Sequence, residues 1–300
     1  MGSNALTWLL ASDGSANAER AARFAAAFAR LQRVRQVHLV NVQQPQASGL
    51  ATGRIAVAGP EARAAGEQSL AAARRRLEVA RLRVHAHVVV SGDPAAALAA
   101  TARRLRVDEV ILGTRGTSAL GNLVLGSVAY KVLSLVAQPL TLVPPGQRPH
   151  RMRRPSAGSA LRLVLATDGS KSSLRAVAYV CRLHEAGTPL QVYLLNAQPR
   201  IVSGTARRVV SQAAINAYFR ERGEEALQPA RRLLDRAGVR YRDFVRAGSY
   251  PETIVDLAEE FACSRIVMGT RAMGRFKSLV LDSTVYGVVS QAEAAVTVIR

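Results

Sequence analysis

The chain has 300 residues, 49% of them apolar, and carries a formal net charge of +20 at neutral pH. This length allows two domains of about 150 residues, each with enough apolar side chains to bury a core. No apolar run reaches the roughly 18 residues of a membrane span, and the first residues lack the positive charge of a signal peptide, so no membrane partner is expected.

The positive charge is spread along the chain. Residues 1–145, 146–160 and 161–300 carry net charges of +9, +4 and +7. A basic protein attracts the phosphates of nucleic acid, but Arg-rich helix faces exposed to water also explain such a spread, and we favour that interpretation. Non-specific binding of nucleic acid is the most that we expect.

Strand-like and helix-like segments alternate through the first half. Short apolar runs are typical of buried parallel strands, and long Ala-rich stretches punctuated by Arg are typical of helices. Asp93 followed by Pro94 favours a helix start. The predicted strands are Ala5–Ala11, Val37–Val42, Val84–Val90, Val110–Leu112 and Leu140–Val143, and the predicted helices are Ala16–Arg33, Glu61–Arg81, one from Pro94 and Ser127–Val136.

The second half repeats the landmarks of the first in the same order. Three segments return 155 or 156 residues later: LLASDGS at 9–15 as VLATDGS at 164–170, LVNVQ at 39–43 as LLNAQ at 194–198, and VILGTRG at 110–116 as IVMGTRA at 266–272. Landmarks that keep their order at a near-constant offset indicate a duplicated domain.

A basic segment rich in Pro and Gly separates the copies and has the composition of a linker. We therefore predict a first domain at 1–145, a linker at 146–159 and a second domain at 160–300. The alternation of strands and helices predicts an α/β fold of two tandem Rossmann-like domains, each with a five-stranded, mostly parallel, doubly wound sheet.

Ligands of such sheets bind beyond the carboxyl ends of the strands, where the strand order reverses. In the first domain, Asp13 follows the first strand and can accept a hydrogen bond from an adenine amino group or a ribose hydroxyl. After the fourth strand, Gly113 and Gly116 allow the backbone to approach a ligand. Gly126 and Ser127 stand at a predicted helix start, whose N–H groups favour phosphate oxygens.

Each of these residues also has a purely structural explanation. The glycines could serve ordinary turns, Ser127 could cap its helix, and Asp13 could form an Asx turn with Gly14 and Ser15. The presence of all these features at one edge of one predicted sheet favours a ligand site. A Gly-rich P-loop with its Lys is absent from the sequence.

The spacing Gly-x₂-Gly-x₉-Gly-Ser after the fourth strand resembles the ATP-binding signature of the universal stress protein family. Asp13 is similar to that family's adenine-site aspartate, and Val42 stands where the family's backbone contacts adenine. The resemblance covers essentially the whole chain, twice, and implies the adenine nucleotide alpha hydrolase-like form of the Rossmann-like fold. It also implies a cytoplasmic stress-response protein that binds ATP, with Mg²⁺, without a P-loop.

The resemblance further implies that the last strands, Leu140–Val143 and Ala295–Ile299, pair, so that the halves form an internal pseudo-dimer. A homodimer and an unidentified protein partner stay open. The loop after the fourth strand holds no obvious base to orient a hydrolytic water, so we expect a nucleotide-binding protein with no catalytic residue. The alternatives are a slow ATPase and a basic nucleic-acid-associated stress protein.

The second copy departs from the signature. Asp168, Gly269 and Ser283 keep their positions, whereas Ala272 and Asp282 replace the second and third glycines. Two like unit charges at about 4 Å repel by about 4 kcal/mol at an effective dielectric near 20, so a carboxylate here opposes a triphosphate. We expect a degenerate second site that takes a smaller or uncharged ligand, or none.

The histidines and cysteines show no metal-binding spacing. We interpret His38, His85 and His87 as residues at the surface or rim of a sheet, and Cys181 and Cys263 as buried free thiols. No metal site is expected from the sequence.

Overall fold

The computed structural model describes residues 6–45, 59–114, 125–145, 159–199, 211–270 and 283–300. In the first half these ranges contain β1 (Leu6–Ala11), α1 (Ala16–Phe28), β2 (Val34–Gln43), α2 (Pro60–Val79), β3 (Arg83–Val90), α3 (Pro94–Arg104), β4 (Glu109–Gly113), α4 (Ser127–Leu135) and β5 (Leu140–Val143). In the second half they contain β6 (Leu161–Ala166), α5 (Lys171–Glu185), β7 (Leu190–Gln198), α6 (Gln212–Arg236), β8 (Tyr241–Ala247), α7 (Tyr250–Glu260), β9 (Arg265–Gly269), α8 (Ser283–Gln291) and β10 (Ala295–Ile299).

The strands of both halves form one sheet in the order β3-β2-β1-β4-β5-β10-β9-β6-β7-β8. Neighbouring strands within each half are parallel. The strand order reverses between β1 and β4, and again between β6 and β9. This arrangement confirms the predicted doubly wound α/β fold.

Helices cover both faces of the sheet. In β1, Trp8 and Leu10 belong to the core cluster beneath α1, α2, α5 and α6, whereas Leu9 belongs to the cluster beneath α3, α4, α7 and α8. Burial on both faces explains why this strand is a continuous apolar run. Within the described ranges, we find no helix with the length and apolar character needed to cross a membrane.

The first helix, α1, ends at Phe28 rather than at Arg33, so the predicted boundary was wrong. Arg33 adopts a left-handed backbone conformation with φ of 53°, and the N–H of Val34 donates to the carbonyl of Ala29 at 2.8 Å. This combination ends a helix and lets the next strand begin at once. The apolar spacing continues to Leu31 because that side chain still packs against the core from the turn.

The two halves meet through their last strands, which pair antiparallel with Thr141 opposite Thr297. The two hydroxyl oxygens lie 2.7 Å apart. This is the pairing that the family resemblance implied. It joins two parallel sheets into one.

Corresponding positions of the outer strands carry histidines in one half and aromatic side chains in the other. His38 faces His85 across β2 and β3, and its Nδ1 lies 3.0 Å from Nε2 of His87. Tyr193 and Phe244 occupy the positions of His38 and His87 in the second half. Among the residues that the structure describes, no group of three or more His, Cys, Asp or Glu residues is arranged to hold a metal ion.

Burial lowers the pKa of both His38 and His87 below the ordinary value of 6.5. Neighbouring charge lowers it further: His87 and then His85 act on the pKa of His38, and Arg104 and then His85 act on that of His87. At a pH just below 6.5 the unfolded chain therefore binds more protons at these histidines than the folded protein does. Stability that is present above pH 6.5 is lost as the pH falls below it.

We predict that the free energy of unfolding decreases as the pH falls from 7 to 5. The double substitution His38→Tyr and His87→Phe, which copies the second half, should reduce this decrease, as measured by urea unfolding at each pH. His184→Gln, outside the cluster, serves as the control and should leave the slope unchanged. An identical pH dependence in the double variant and the unmodified protein would contradict the assignment.

Candidate functional site

The reversal of strand order between β1 and β4 places the loops that follow these strands side by side. Asp13 lies in the first loop and Gly113 at the end of β4. Asn17, in the first turn of α1, has backbone atoms close to Gly113. The sheet therefore brings these two predicted site residues to the same edge, where ligands of doubly wound sheets bind.

Asp13 forms the Asx turn that was one of its two predicted roles. Its Oδ1 accepts a hydrogen bond from the N–H of Ser15 at 3.0 Å, and Gly14 between them has a positive φ of 77°. Ser15 then caps α1, because its hydroxyl oxygen accepts from the N–H of Ala18 at 3.2 Å. The turn holds the exposed carboxyl group of Asp13 just beyond the carboxyl end of β1.

A polar chain that the sequence analysis missed fixes the end of β2 against this turn. The Nδ2 of Asn41 donates to the carbonyl of Ser12 at 2.8 Å, and the Nε2 of Gln43 donates to Oδ1 of Asn41 at 2.7 Å. Val42 stands between Asn41 and Gln43 in the strand, so its side chain lies on the opposite face of the sheet and packs on the second core cluster.

The same chain recurs in the second half. Asn196 donates to the carbonyl of Thr167 at 2.8 Å, and Gln198 donates to Asn196 at 2.6 Å. The signal was present in the repeated segments at 39–43 and 194–198, where Asn and Gln are the only residues besides the first Leu that are unchanged. Side chains kept identical in both copies at a strand end point to a shared polar contact.

The two ends of the loop after β4 lie together. The N–H of Gly126 donates to the carbonyl of Thr114 at 2.7 Å, which closes the segment at its base. Gly126 is the N-cap residue of α4 and, as a glycine, forms no side-chain cap hydrogen bond. Ser127 is the first residue of the helix, so its predicted alternative role as the cap was wrong. Gly116 lies outside the described residues.

Gly113 is needed for a reason that the sequence did not reveal. A Cβ at this position would lie 2.9 Å from both the carbonyl carbon and the carbonyl oxygen of Asn17, so the space is filled by α1. Gly269 is tighter still, since a Cβ there would lie 2.3 Å from the carbonyl oxygen of Ser172 in α5. Both glycines allow a helix to approach the strand end, whether or not a ligand is present.

The second copy has an open cavity of about 400 Å³ at the corresponding edge. Among the residues that line it are Asp168, Asn196, Tyr250, Gly269 and Thr284, the last of which follows Ser283 at the start of α8. This volume is in the range of small-molecule pockets. Ala272 and Asp282, on which the prediction of a degenerate site depends, lie outside the described residues.

The polar groups of this second edge are tightly bound to one another. Partial burial by itself would raise the pKa of Asp168, but hydrogen bonds from the side chain and backbone of Ser170 outweigh it and lower the pKa below its ordinary value. Ser173, which replaces Ala18 of the first copy, has its hydroxyl 2.9 Å from that of Thr167. The described residues that line the cavity of the second copy therefore include a carboxylate and hydroxyls but no Lys or Arg.

Comparison with known proteins identifies the family of this chain. The model of the universal stress protein family matches the chain twice, over residues 7–144 and 161–300. The chain belongs to the universal stress protein family. The two matches follow the two halves of the sheet, which makes this a tandem universal stress protein and confirms the resemblance seen in the sequence.

Known relatives agree with this assignment. A universal stress protein of Methanocaldococcus jannaschii is 26% identical over 141 residues, which is 46% of this chain and 81% of the relative. The solved structure of a universal stress protein of Archaeoglobus fulgidus has a TM-score of 0.67 at 19% identity and covers 98% of this chain and 96% of its own. A functionally unknown protein of Pseudomonas aeruginosa has a TM-score of 0.61 at 14% identity, covering 99% and 93%. At these identities the structures show the fold alone.

Alanine substitutions at Gly113 and Gly269 should destabilise this universal stress protein to different degrees. Gly113→Ala should destabilise the protein by about 1–3 kcal/mol, because the new methyl group overlaps the backbone of α1 and cannot be relieved by a side-chain rotation. Gly269→Ala should cost more, since its contact is closer. Urea unfolding of both variants would test this order.

Gly92→Ala is the matched control. Nothing lies within 4 Å of a Cβ at that position, so its effect should stay within about 0.5 kcal/mol. Equal stabilities for the three variants would contradict the proposed packing role.

Proposed function

We propose that the first domain of this universal stress protein binds ATP, with Mg²⁺, at the edge between β1 and β4, and that the chain acts as a nucleotide-responsive regulatory protein in the cytoplasm. The proposal makes the protein a binding module and assigns it no catalytic residue. Its support comes from the geometry of the first edge and from the family to which the chain belongs.

The observation that carries the proposal is the N-terminus of α4. Ser15 and Asp93 cap α1 and α3 with their side chains, whereas Gly59 and Gly126, the N-cap residues of α2 and α4, have no side chain that could accept the first N–H groups of the helix. Of these two glycines, Gly126 follows β4, at the edge where Asp13 and Gly113 lie. The first N–H groups of a helix have no partner within the helix, and they carry the positive end of its dipole. An anionic phosphate group is the ligand that such a helix end favours.

Two further features suit the remainder of an adenine nucleotide. Asp13 presents a carboxylate that can accept hydrogen bonds from a ribose hydroxyl or an adenine amino group. Val42 has hydrogen-bonded neighbours on both sides, Asn41 and Gln43, and offers an apolar side chain and a fixed backbone at the end of β2. Mg²⁺ in nucleotide sites is bound mainly by phosphate oxygens and water, so few protein ligands are required.

The second domain differs from the first at the position that corresponds to Gly126. In the sequence, Asp282 stands where Gly126 does, and Asp is a favourable N-cap residue that itself accepts the first N–H groups of a helix. Its carboxylate would also repel phosphate. We therefore propose that the cavity of the second domain takes a smaller or uncharged ligand, or none, and that the chain binds one ATP.

Gly126→Asp should weaken the binding of ATP with Mg²⁺ by roughly 100-fold or more, because like unit charges about 4 Å apart repel by about 4 kcal/mol at an effective dielectric near 20. Calorimetric titration would measure both the affinity and the stoichiometry, which should be one in the unmodified protein. The variant should fold at least as stably without ligand, since Gly126 has φ of −66° and ψ of 155°, a conformation that Asp also adopts as an N-cap.

Two control variants separate charge from capping. Gly126→Ala introduces neither, and should retain binding. Gly126→Asn introduces a neutral cap, and should fall between Ala and Asp. Two bound ATP molecules, or unchanged affinity in Gly126→Asp, would overturn the proposal. Steady ATP turnover that Asp13→Asn abolishes while leaving binding intact would show instead that the protein is an enzyme.

A further inference from the structure

A local two-fold axis relates the two halves where they meet. Thr141 and Thr297 occupy corresponding positions of β5 and β10 and face each other across the antiparallel pair. In a symmetric interface a residue that lies at such an axis meets its own counterpart. The duplicated domain therefore has the geometry of a homodimer, and its side chains show whether the two partners are interchangeable.

Next to this axis the two halves carry opposite charges. Glu109 begins β4 and Arg265 begins β9, at corresponding positions of the duplicated domain. Both side chains are buried, with exposed fractions of 1% and 0%, and Nη2 of Arg265 lies 3.2 Å from Oε1 of Glu109. A buried ion is tolerated only with a partner of opposite charge, so each half supplies what the other requires.

Neighbouring groups from both halves add hydrogen bonds to this pair. The hydroxyl of Tyr179 donates to Oε2 of Glu109 at 2.8 Å, and Nη1 of Arg265 donates to the Tyr179 oxygen at 2.9 Å and to Oε1 of Gln32 at 3.3 Å. The hydroxyl of Thr141 donates to Oε1 of Glu109. The network thus contains groups from β4, β5, α5, β9 and the turn after α1.

The aromatic residues are also matched to their charges. The guanidinium carbon of Arg265 lies 5.2 Å from the centre of the Phe24 ring in the first half. Tyr179 is the counterpart of Phe24, 155 residues later, and its additional hydroxyl meets the carboxylate. The two halves therefore differ at three corresponding positions of this network, Glu109 and Arg265, Phe24 and Tyr179, and Gln32 and Gly187. All three differences suit one arrangement: Glu in the first half against Arg in the second.

We infer that this buried pair is a partner-specificity element, which lets the surface formed by β4 and β5 accept only the surface formed by β9 and β10. Two first halves that met through this surface would bury Glu109 against a second Glu109. Two second halves would bury Arg265 against a second Arg265. Each like-charged contact opposes the unwanted pairing, so the interface selects the opposite half.

Two charge reversals on the full chain test the inference. Glu109→Arg places an arginine at both buried positions, and Arg265→Glu places a glutamate at both. In either variant alone the two halves should no longer pair. The single cooperative unfolding transition expected of the unmodified chain should then be lost. Co-expressed, the two variants can complement each other by exchanging halves between chains. Native mass spectrometry should then show a one-to-one complex of twice the chain mass, absent from either variant alone.

The double variant Glu109→Arg with Arg265→Glu tests the same element within one chain. It restores opposite charges at the two buried positions, so the double variant should be a monomer. Its unfolding midpoint should lie above that of either single variant, and it should fold even if the single variants do not. Glu109→Gln should be less harmful than Glu109→Arg, because it adds no like charge.

The exposed pair Arg74 and Glu78 supplies the matched control, since its charge reversals should produce neither loss nor exchange. The inference is overturned if the double variant is no more stable than the single variants. It is equally overturned if the co-expressed chains form no mixed complex, or if Glu109→Gln is as harmful as Glu109→Arg.

Discussion

The antiparallel pairing of β5 and β10 joins two parallel sheets and gives this protein its architecture. An unpaired strand at the end of a sheet exposes N–H and C=O groups to any other strand, and here each half satisfies those groups of the other. Val143 and Ala295 share one core cluster, and Leu142 and Val296 share the other. Both hydrophobic cores therefore depend on the pairing of the halves.

Duplication has preserved the backbone framework and changed the side chains that act through it. The Asx turn after the first strand recurs with the same N–H to Oδ1 distance of 3.0 Å at Asp13 and Asp168. The Asn–Gln chain beside it also recurs. The helix start facing this turn differs in sequence, with Gly126 in one copy and Asp282 in the other. One scaffold thus offers two chemically different edges.

Symmetry between the halves has also been broken in their interface. A homodimer must place identical residues around its axis, which forbids a single Glu–Arg pair on that axis. A tandem chain escapes this restriction, because its two halves mutate independently. Glu109 and Arg265 use this freedom in a fully buried position, where a charge without its partner is strongly unfavourable.

The sequence by itself determined the duplication, the order of strands and helices, and the edge at which Asp13, Gly113 and Gly126 would lie, because hydrophobic periodicity and glycine placement are local signals. It misjudged the end of α1 and the cap of α4, since a left-handed turn at Arg33 and a backbone bond from Gly126 are not visible as residue types.

Only the tertiary structure revealed why Gly113 is a glycine, because the atoms that fill its missing side chain belong to Asn17, far away in sequence. It alone also brought Glu109 to Arg265, two residues that the sequence analysis did not single out. Contacts between distant segments depend on how strands are ordered in the sheet, and that order arises when the whole chain buries its apolar faces together.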